Sequence, residues 1–155
     1  MSLDRFDIAI LEALQRNCRV TNEALAASVH LSPSACLRRV QRLRREGHIA
    51  REVAILGRKA VGERLFFTIL VTLKAEDRST LDRFAAAVRD DPRIQQCHYV
   101  SGEFDLLLQV SVADMADYEA LCDGLLLDDP AVARFQSVLL MRTLKSDTFV
   151  PLDRA

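Results

Sequence analysis

One pattern occurs twice between Leu65 and Leu144: a strand, a helix and a strand, each helix stopped by Asp-Asp-Pro. Leu65, Phe67, Ile69, Val71 and Leu73 alternate with Phe66, Thr68, Leu70 and Thr72, which predicts a strand with one apolar face and one mixed face. Ser79 or Thr80 opens a helix that carries Leu81, Phe84, Ala85 and Val88 inward and stops at Asp90-Asp91-Pro92. Ile94–Val100 and Phe104–Val112 read as strands about a tight turn, Ser101-Gly102-Glu103. Asp114 caps a second helix, with Met115, Tyr118, Leu121, Cys122 and Leu125 inward and a stop at Asp128-Asp129-Pro130. Val132–Leu144 reads as a long last strand, followed by a polar tail. Right-handed crossovers turn this β-α-β-β-α-β order into a ferredoxin-like sheet with both helices on one face. The other face carries Phe66 and Leu70, so a partner surface is expected to cover it and the chain to form an oligomer.

The first 56 residues have a different period. Asp4 caps a helix from about Asp4 to Arg16, with Asp7 at its third position. Thr21 caps a short second helix that ends near His30. Ser32-Pro33 starts a third: the serine side chain accepts a free N–H, and proline at the first position loses no bond. Leu37, Val40 and Leu43 form its buried stripe, and Gly47 stops it. Ile49–Leu56 reads as a strand, a wing. Residues 57–63, with two glycines and two bases, are the expected linker between domains 1–56 and 64–155.

Charge follows this division. Residues 1–60 hold eleven Lys/Arg against six Asp/Glu, whereas residues 61–155 hold ten against sixteen. Five arginines fall between Arg38 and Arg45. A basic half implies a polyanion partner. Three helices and a wing, with a tight turn before an arginine-rich helix, describe a winged helix-turn-helix for double-stranded DNA. The outward positions of the third helix are Ser34, Arg38, Arg39, Gln41, Arg42 and Arg45. Ser34, Arg38 and Arg39 near its start are the expected base readers, because arginine fits the O6/N7 edge of guanine. Thr21, Asn22 and Ser32 at helix starts, with Arg42 and Arg45 further on, suit phosphates. A solvated basic face is the plain alternative; the cap, the short preceding helix and the wing argue against it.

Other classes find little support. No apolar run reaches the ~18–20 residues of a membrane span. The first seven residues carry acids where a leader has bases, so a cytoplasmic protein is expected. Cys18, Cys36, Cys97 and Cys122 form no C-x-x-C pair, and adjacent Cys97 and His98 point to opposite faces of a strand, so no metal or cofactor is expected. Asp105 and His98 are the only residues suggestive of catalysis, and they fit ligand binding or a turn better, so no enzyme is expected.

The chain also resembles a known family. Leu3-Asp4-x-x-Asp7, the run Leu31-Ser32-Pro33-Ser34-Ala35-Cys36-Leu37-Arg38-Arg39-Val40-x-x-Leu43 and Gly47-His48-Ile49 resemble the Lrp/AsnC family of transcription regulators. Cys97-His98-Tyr99-Val100-Ser101-Gly102-Glu103-Phe104-Asp105-Leu106-Leu107-Leu108, followed by Val112-x-Asp114-Met115-x-x-Tyr118, is similar to that family's second domain. The resemblance covers residues 3–150. It implies promoter binding, a sensor domain for a small amino-acid effector, and dimers through the sheet that assemble further to tetramers or octamers. It places the effector where dimers meet, on the loop Tyr99, Val100, Ser101, Gly102, Glu103 and Asp105, with Met115 and Leu140. There Gly102 permits close approach, loop N–H groups suit a carboxylate, and Asp105 or Glu103 suits an ammonium group. Two positions depart from the family pattern. His30 replaces a frequent glycine, which predicts a left-handed histidine, and Glu103 replaces a frequent aspartate. A regulator or DNA-organising protein of the same build without an effector is the competing reading.

Overall fold

The computed structural model describes residues 3–75 and 77–152. The ends of the expected domains at residues 1–2 and 153–155 lie outside the described residues. The chain divides into two compact units: Met1–Ile55 with Lys145–Ala155, and Leu56–Leu144.

The first unit begins with α1 (Arg5–Arg16), α2 (Asn22–Ser28) and α3 (Pro33–Arg45). Each start is capped from the sequence. Asp4 Oδ1 accepts the N–H groups of Phe6 and Asp7, both at 2.9 Å, and Asp7 Oδ2 accepts the Asp4 N–H at 3.2 Å, a reciprocal box. Thr21 and Ser32 hydroxyls accept from Ala24 and Ala35 N–H at 3.3 Å. Two left-handed residues close α2 and α3. His30 has φ +56°, and Leu31 N–H returns to the Ala26 carbonyl at 2.9 Å. Gly47 has φ +79°, and His48 N–H returns to the Leu43 carbonyl at 2.9 Å. The histidine takes the conformation the sequence demands at that turn. Ile10, Leu11, Leu25, Ala26, Val29, Cys36, Val40 and Leu43 form one core.

Three expectations change in this unit. Leu37 is 44% exposed, and Cys36 takes its place in the buried stripe with Val40 and Leu43. Positions 36, 40 and 43 share the inner face; position 37 is one step around the helix. Ile49–Leu56 forms no strand: a strand needs a hydrogen-bonded neighbour, and no backbone bond is made by Ala50–Leu56 among the described residues. Among the described residues, Ile49–Leu56 therefore supplies no wing strand. The polar tail, expected to end the second domain, belongs to the first unit instead. Gln15 holds it, donating to the Val150 carbonyl (2.9 Å) and accepting the Val150 N–H (2.7 Å). The Arg16 guanidinium lies 4.5 Å from the Phe149 ring centre, and Leu152 packs against the core.

The second unit is α4 (Arg58–Val61), β1 (Leu65–Leu73), α5 (Arg78–Arg89), β2 (Ile94–Tyr99), β3 (Leu106–Val112), α6 (Met115–Cys122) and β4 (Val132–Leu139), with a π-helical turn, Asp123–Leu127, extending α6. The strands are antiparallel in the order β2-β3-β1-β4, the order the ferredoxin-like reading requires. α4 lies where a plain linker is expected. Asp77, rather than Ser79 or Thr80, caps α5; the Ser79 hydroxyl, with the N–H and hydroxyl of Thr80, holds its pKa down at about 2. β4 ends at Leu139, short of the expected Leu144. Phe67, Ile69, Val71 and Leu73 pack with Leu106, Leu108, Val110 and Val112 against Phe84, Val88, Leu121 and Leu126. Tyr118 stacks on Phe67 at 4.2 Å and donates to the Ser137 hydroxyl at 2.6 Å. Met115, expected inward, is 49% exposed. The opposite face presents Phe66, Leu70 and Leu107, with Val138 and Leu140 at its rim.

Truncation after Leu144 removes the Val150, Phe149 and Leu152 contacts. It is expected to cost the first unit about 1–3 kcal/mol while leaving the second unchanged. Hydrogen exchange resolved by segment checks this: α1 amides lose protection and β1 and β3 amides keep it.

Candidate nucleic-acid interface and ligand loop

The third helix carries five arginines, and the fold gives them three different tasks. Arg39 and Arg42 turn toward the start of α1. Arg39 Nη1 donates to Asp4 Oδ2 at 2.7 Å and Asp7 Oδ1 at 2.8 Å, and Arg42 Nη2 meets Asp7 Oδ2 at 2.5 Å. Asp7 is 1% exposed, and these guanidinium groups compensate the cost of burying its carboxylate. Burial works against the Asp4 carboxylate, but the Asp7 N–H and the Arg39 guanidinium hold its pKa below the ordinary value. The same bonds to Asp4 and Asp7 raise the pKa of Arg39. Phe6 lies beneath the Arg39 guanidinium, 5.5 Å from ring centre to Cζ. Arg44 bonds Glu52 through Nε and Nη2 at 3.2 and 2.7 Å. Arg38 and Arg45 are exposed and make no ion pair among the described residues.

The outward face of α3 is therefore Ser34, Leu37, Arg38, Gln41 and Arg45. This revises the expected outward set, from which Arg39 and Arg42 drop out because α1 places a buried carboxylate against them. Leu37 joins it, since the inner face is filled by Cys36. Ser32 and Ser34 hydroxyls lie 3.3 Å apart at the exposed start of the helix. Thr21 is occupied as a cap, and the Asn22 amide donates to the Pro33 carbonyl at 2.9 Å, tying the start of α2 to the start of α3.

In the second unit Tyr99, Val100, Ser101, Gly102, Glu103 and Asp105 lie together where β2 turns into β3. Val100 N–H donates to the Asp105 carbonyl and Asp105 N–H to the Val71 carbonyl, both at 2.9 Å. Asp105 Oδ2 accepts the Leu73 N–H at 2.7 Å, so this carboxylate fastens the loop to β1. Ser101, Gly102, Glu103 and Phe104 N–H groups make no backbone bond among the described residues. Gly102 has φ +145°, and a Cβ there would meet nothing within 4 Å; the position needs glycine for its backbone, not for space.

Met115 and Leu140 are not part of this cluster within one chain. Leu140 N–H bonds the Phe66 carbonyl, and Met115 follows Val112, the partner of Leu65. The loop lies at the other end, beside the pair Val71–Leu106. Six residues of strand separate Phe66 from Thr72, about 20 Å. The sequence also passed over Arg134, which β4 places against the loop: Nη2 is 3.5 Å from Glu103 Oε1, and Cζ is 5.9 Å from the Phe104 ring centre. Only the antiparallel pairing of Arg134 with Thr72 reveals that proximity.

A capped, basic helix-turn-helix followed in the chain by a βαββαβ unit is the build of a two-domain DNA-binding regulator. Comparison with known proteins narrows this. Residues 3–44 match the AsnC-type helix-turn-helix domain, and residues 67–150 match the Lrp/AsnC ligand binding domain. The chain belongs to the Lrp/AsnC family of transcription regulators. It is 38% identical to the leucine-responsive regulatory protein of Haemophilus influenzae over 97% of this chain and 91% of that one. It is 37% identical to an uncharacterized HTH-type transcriptional regulator of Sinorhizobium fredii over 99% of this chain and 90% of the other. A transcriptional regulator of Neisseria meningitidis, solved as an L-Met complex, superposes with TM-score 0.88 at 36% identity, covering 98% of each chain.

Asp7→Asn keeps the size of the side chain and removes its charge. It is expected to destabilise the first unit by about 3 kcal/mol, because two guanidinium groups lose their counter-charge. Chemical denaturation checks this, and Asp7→Glu should recover part of the loss.

Proposed function

We propose that this protein reads promoter or operator DNA with the outward face of α3, and that a small amino-acid effector at the loop Tyr99–Asp105 modulates its DNA binding or assembly. The observation that carries the first part is the division among the arginines: Arg38 and Arg45 are exposed without an acidic partner among the described residues, on a helix whose start is capped and open. Arg38, with Ser34 near the start of α3, reaches base edges in the major groove, and Leu37 suits a thymine methyl. Arg45, Ser32 and the starts of α2 and α3 around Thr21 and Asn22 meet phosphates. Arg39 and Arg42 act indirectly, by fixing α3 on α1.

For the second part, four loop N–H groups without backbone partners among the described residues and the Gly102 turn suit a carboxylate. The Neisseria relative solved with L-Met makes an amino acid the first ligand to test. Met115 and Leu140 are about 20 Å from the loop in one chain. A site that uses all these residues draws them from two copies. The apolar sheet face around Phe66, Leu70 and Leu107 supplies a surface for the homodimer, with tetramers or octamers beyond it. A regulator bound to promoter DNA works beside the chromosome, in the cytoplasm.

Binding to a fragment carrying the protein's own promoter region tests the DNA assignment. Arg38→Ala should cost about 1–3 kcal/mol and relax preference at one base, whereas Arg45→Ala should weaken all sequences alike and lower the salt slope by about 1. Unchanged affinity in both variants removes the helix from the interface. Leu70→Lys should convert the dimer to monomer in light scattering while the sheet's circular dichroism persists.

A further inference from the structure

We propose that Arg134 is the carboxylate anchor of the effector loop, and that its ion pair with Glu103 is opened when an amino-acid zwitterion enters between them. The inference rests on the reading of Tyr99–Asp105 as the effector site and names two side chains that give the site its charge selectivity.

The ammonium group has one obvious partner. Asp105, the other acid of the loop, has an oxygen 2.7 Å from the Leu73 N–H and fixes the loop to β1. Glu103 has no such duty: its side chain is 73% exposed, and its one ion pair among the described residues is with Arg134. The carboxylate needs a cation, and the loop itself contains none. β4 supplies Arg134 from across the sheet, opposite Thr72, whose hydroxyl accepts from Nε at 3.4 Å. The Phe104 ring lies 5.9 Å from the guanidinium carbon. Threonine and phenylalanine thus keep the guanidinium at the loop.

The Glu103–Arg134 pair itself is loose. Its 3.5 Å separation and the exposure of both side chains make it a weak, solvent-screened contact. An α-amino acid exchanges that one pair for two. Its carboxylate offers Arg134 a planar, two-pronged acceptor, and its ammonium group satisfies Glu103. Loop amides at Ser101–Phe104, without backbone partners among the described residues, complete the carboxylate's shell. A molecule with only one of the two charges leaves Glu103 or Arg134 without a partner and gains little over the pair it breaks. The loop therefore selects free amino acids against their amides and against decarboxylated amines, whatever the side chain.

Calorimetry on the full chain tests this with each of the twenty amino acids, L-methionine first, beside its amide. The wild type should bind at least one free acid and bind its amide about 10- to 100-fold more weakly, the loss expected when a charge-assisted bond is removed. Arg134→Gln should weaken the acid by the same factor and leave the amide within about threefold, so that the discrimination disappears. Arg134→Lys should restore part of it. An unchanged thermal melt shows the variants are folded. A variant that binds acid and amide as the wild type does, or loses both equally, overturns the role of Arg134 and leaves the site standing. A wild type that binds none of the twenty overturns the site and this role together.

Discussion

The Asp7 carboxylate is buried between the guanidinium groups of Arg39 and Arg42, and the orientation of α3 depends on that contact. A lone charge in that place would be strongly unfavourable, and two cations from α3 offset the cost. The arrangement has two effects at once. It locks α3 against the start of α1, where Asp4 closes the capping box. It also divides the five arginines, holding two of them inward and leaving Arg38 and Arg45 outward. A helix that looks uniformly basic in sequence is, in the fold, an ion-paired edge against α1 and an exposed edge without acidic partners among the described residues.

The second unit is built on an asymmetry between the faces of one sheet. One face is closed by Phe84, Val88, Leu121 and Leu126 and contains nearly all of that unit's buried side chains. The other presents Phe66, Leu70 and Leu107, with no covering element from its own unit among the described residues. Antiparallel register then sorts the candidate effector residues by end. Tyr99–Asp105 and Arg134 gather at one end, Met115 and Leu140 at the other. The two sets lie about 20 Å apart along one sheet, so a single small molecule cannot touch both within one chain.

Much of this was legible in the residues. Ser32-Pro33, Gly47 and the two Asp-Asp-Pro stops are local signals with local causes, and the helices and strands they bound are present. His30 in a left-handed turn follows from the same logic. The failures share a physical reason, which is partnership at long range. Ile49–Leu56 alternates like a strand, but alternation cannot supply the neighbour a strand needs. Leu37 fits a 3.6-residue stripe as well as Cys36 does; only packing against α1 and α2 decides between them. Arg39 and Arg42 face inward because of acids 32 and more residues away. Arg134 is brought to the loop by strand pairing across the sheet, which no short window contains.

The tail that Gln15 holds has a consequence for the order of synthesis. The first unit needs Val150 and Leu152 to complete its packing, yet the whole sheet unit is translated before them. At an elongation rate of about 5–20 residues per second, the stretch from Arg45 to Val150 takes on the order of ten seconds to synthesise. The sheet unit needs no residue after Leu144, whereas the helical unit closes only on Val150 and Leu152. The half of the protein made first is therefore the half whose packing waits for residues made after the whole of the other half.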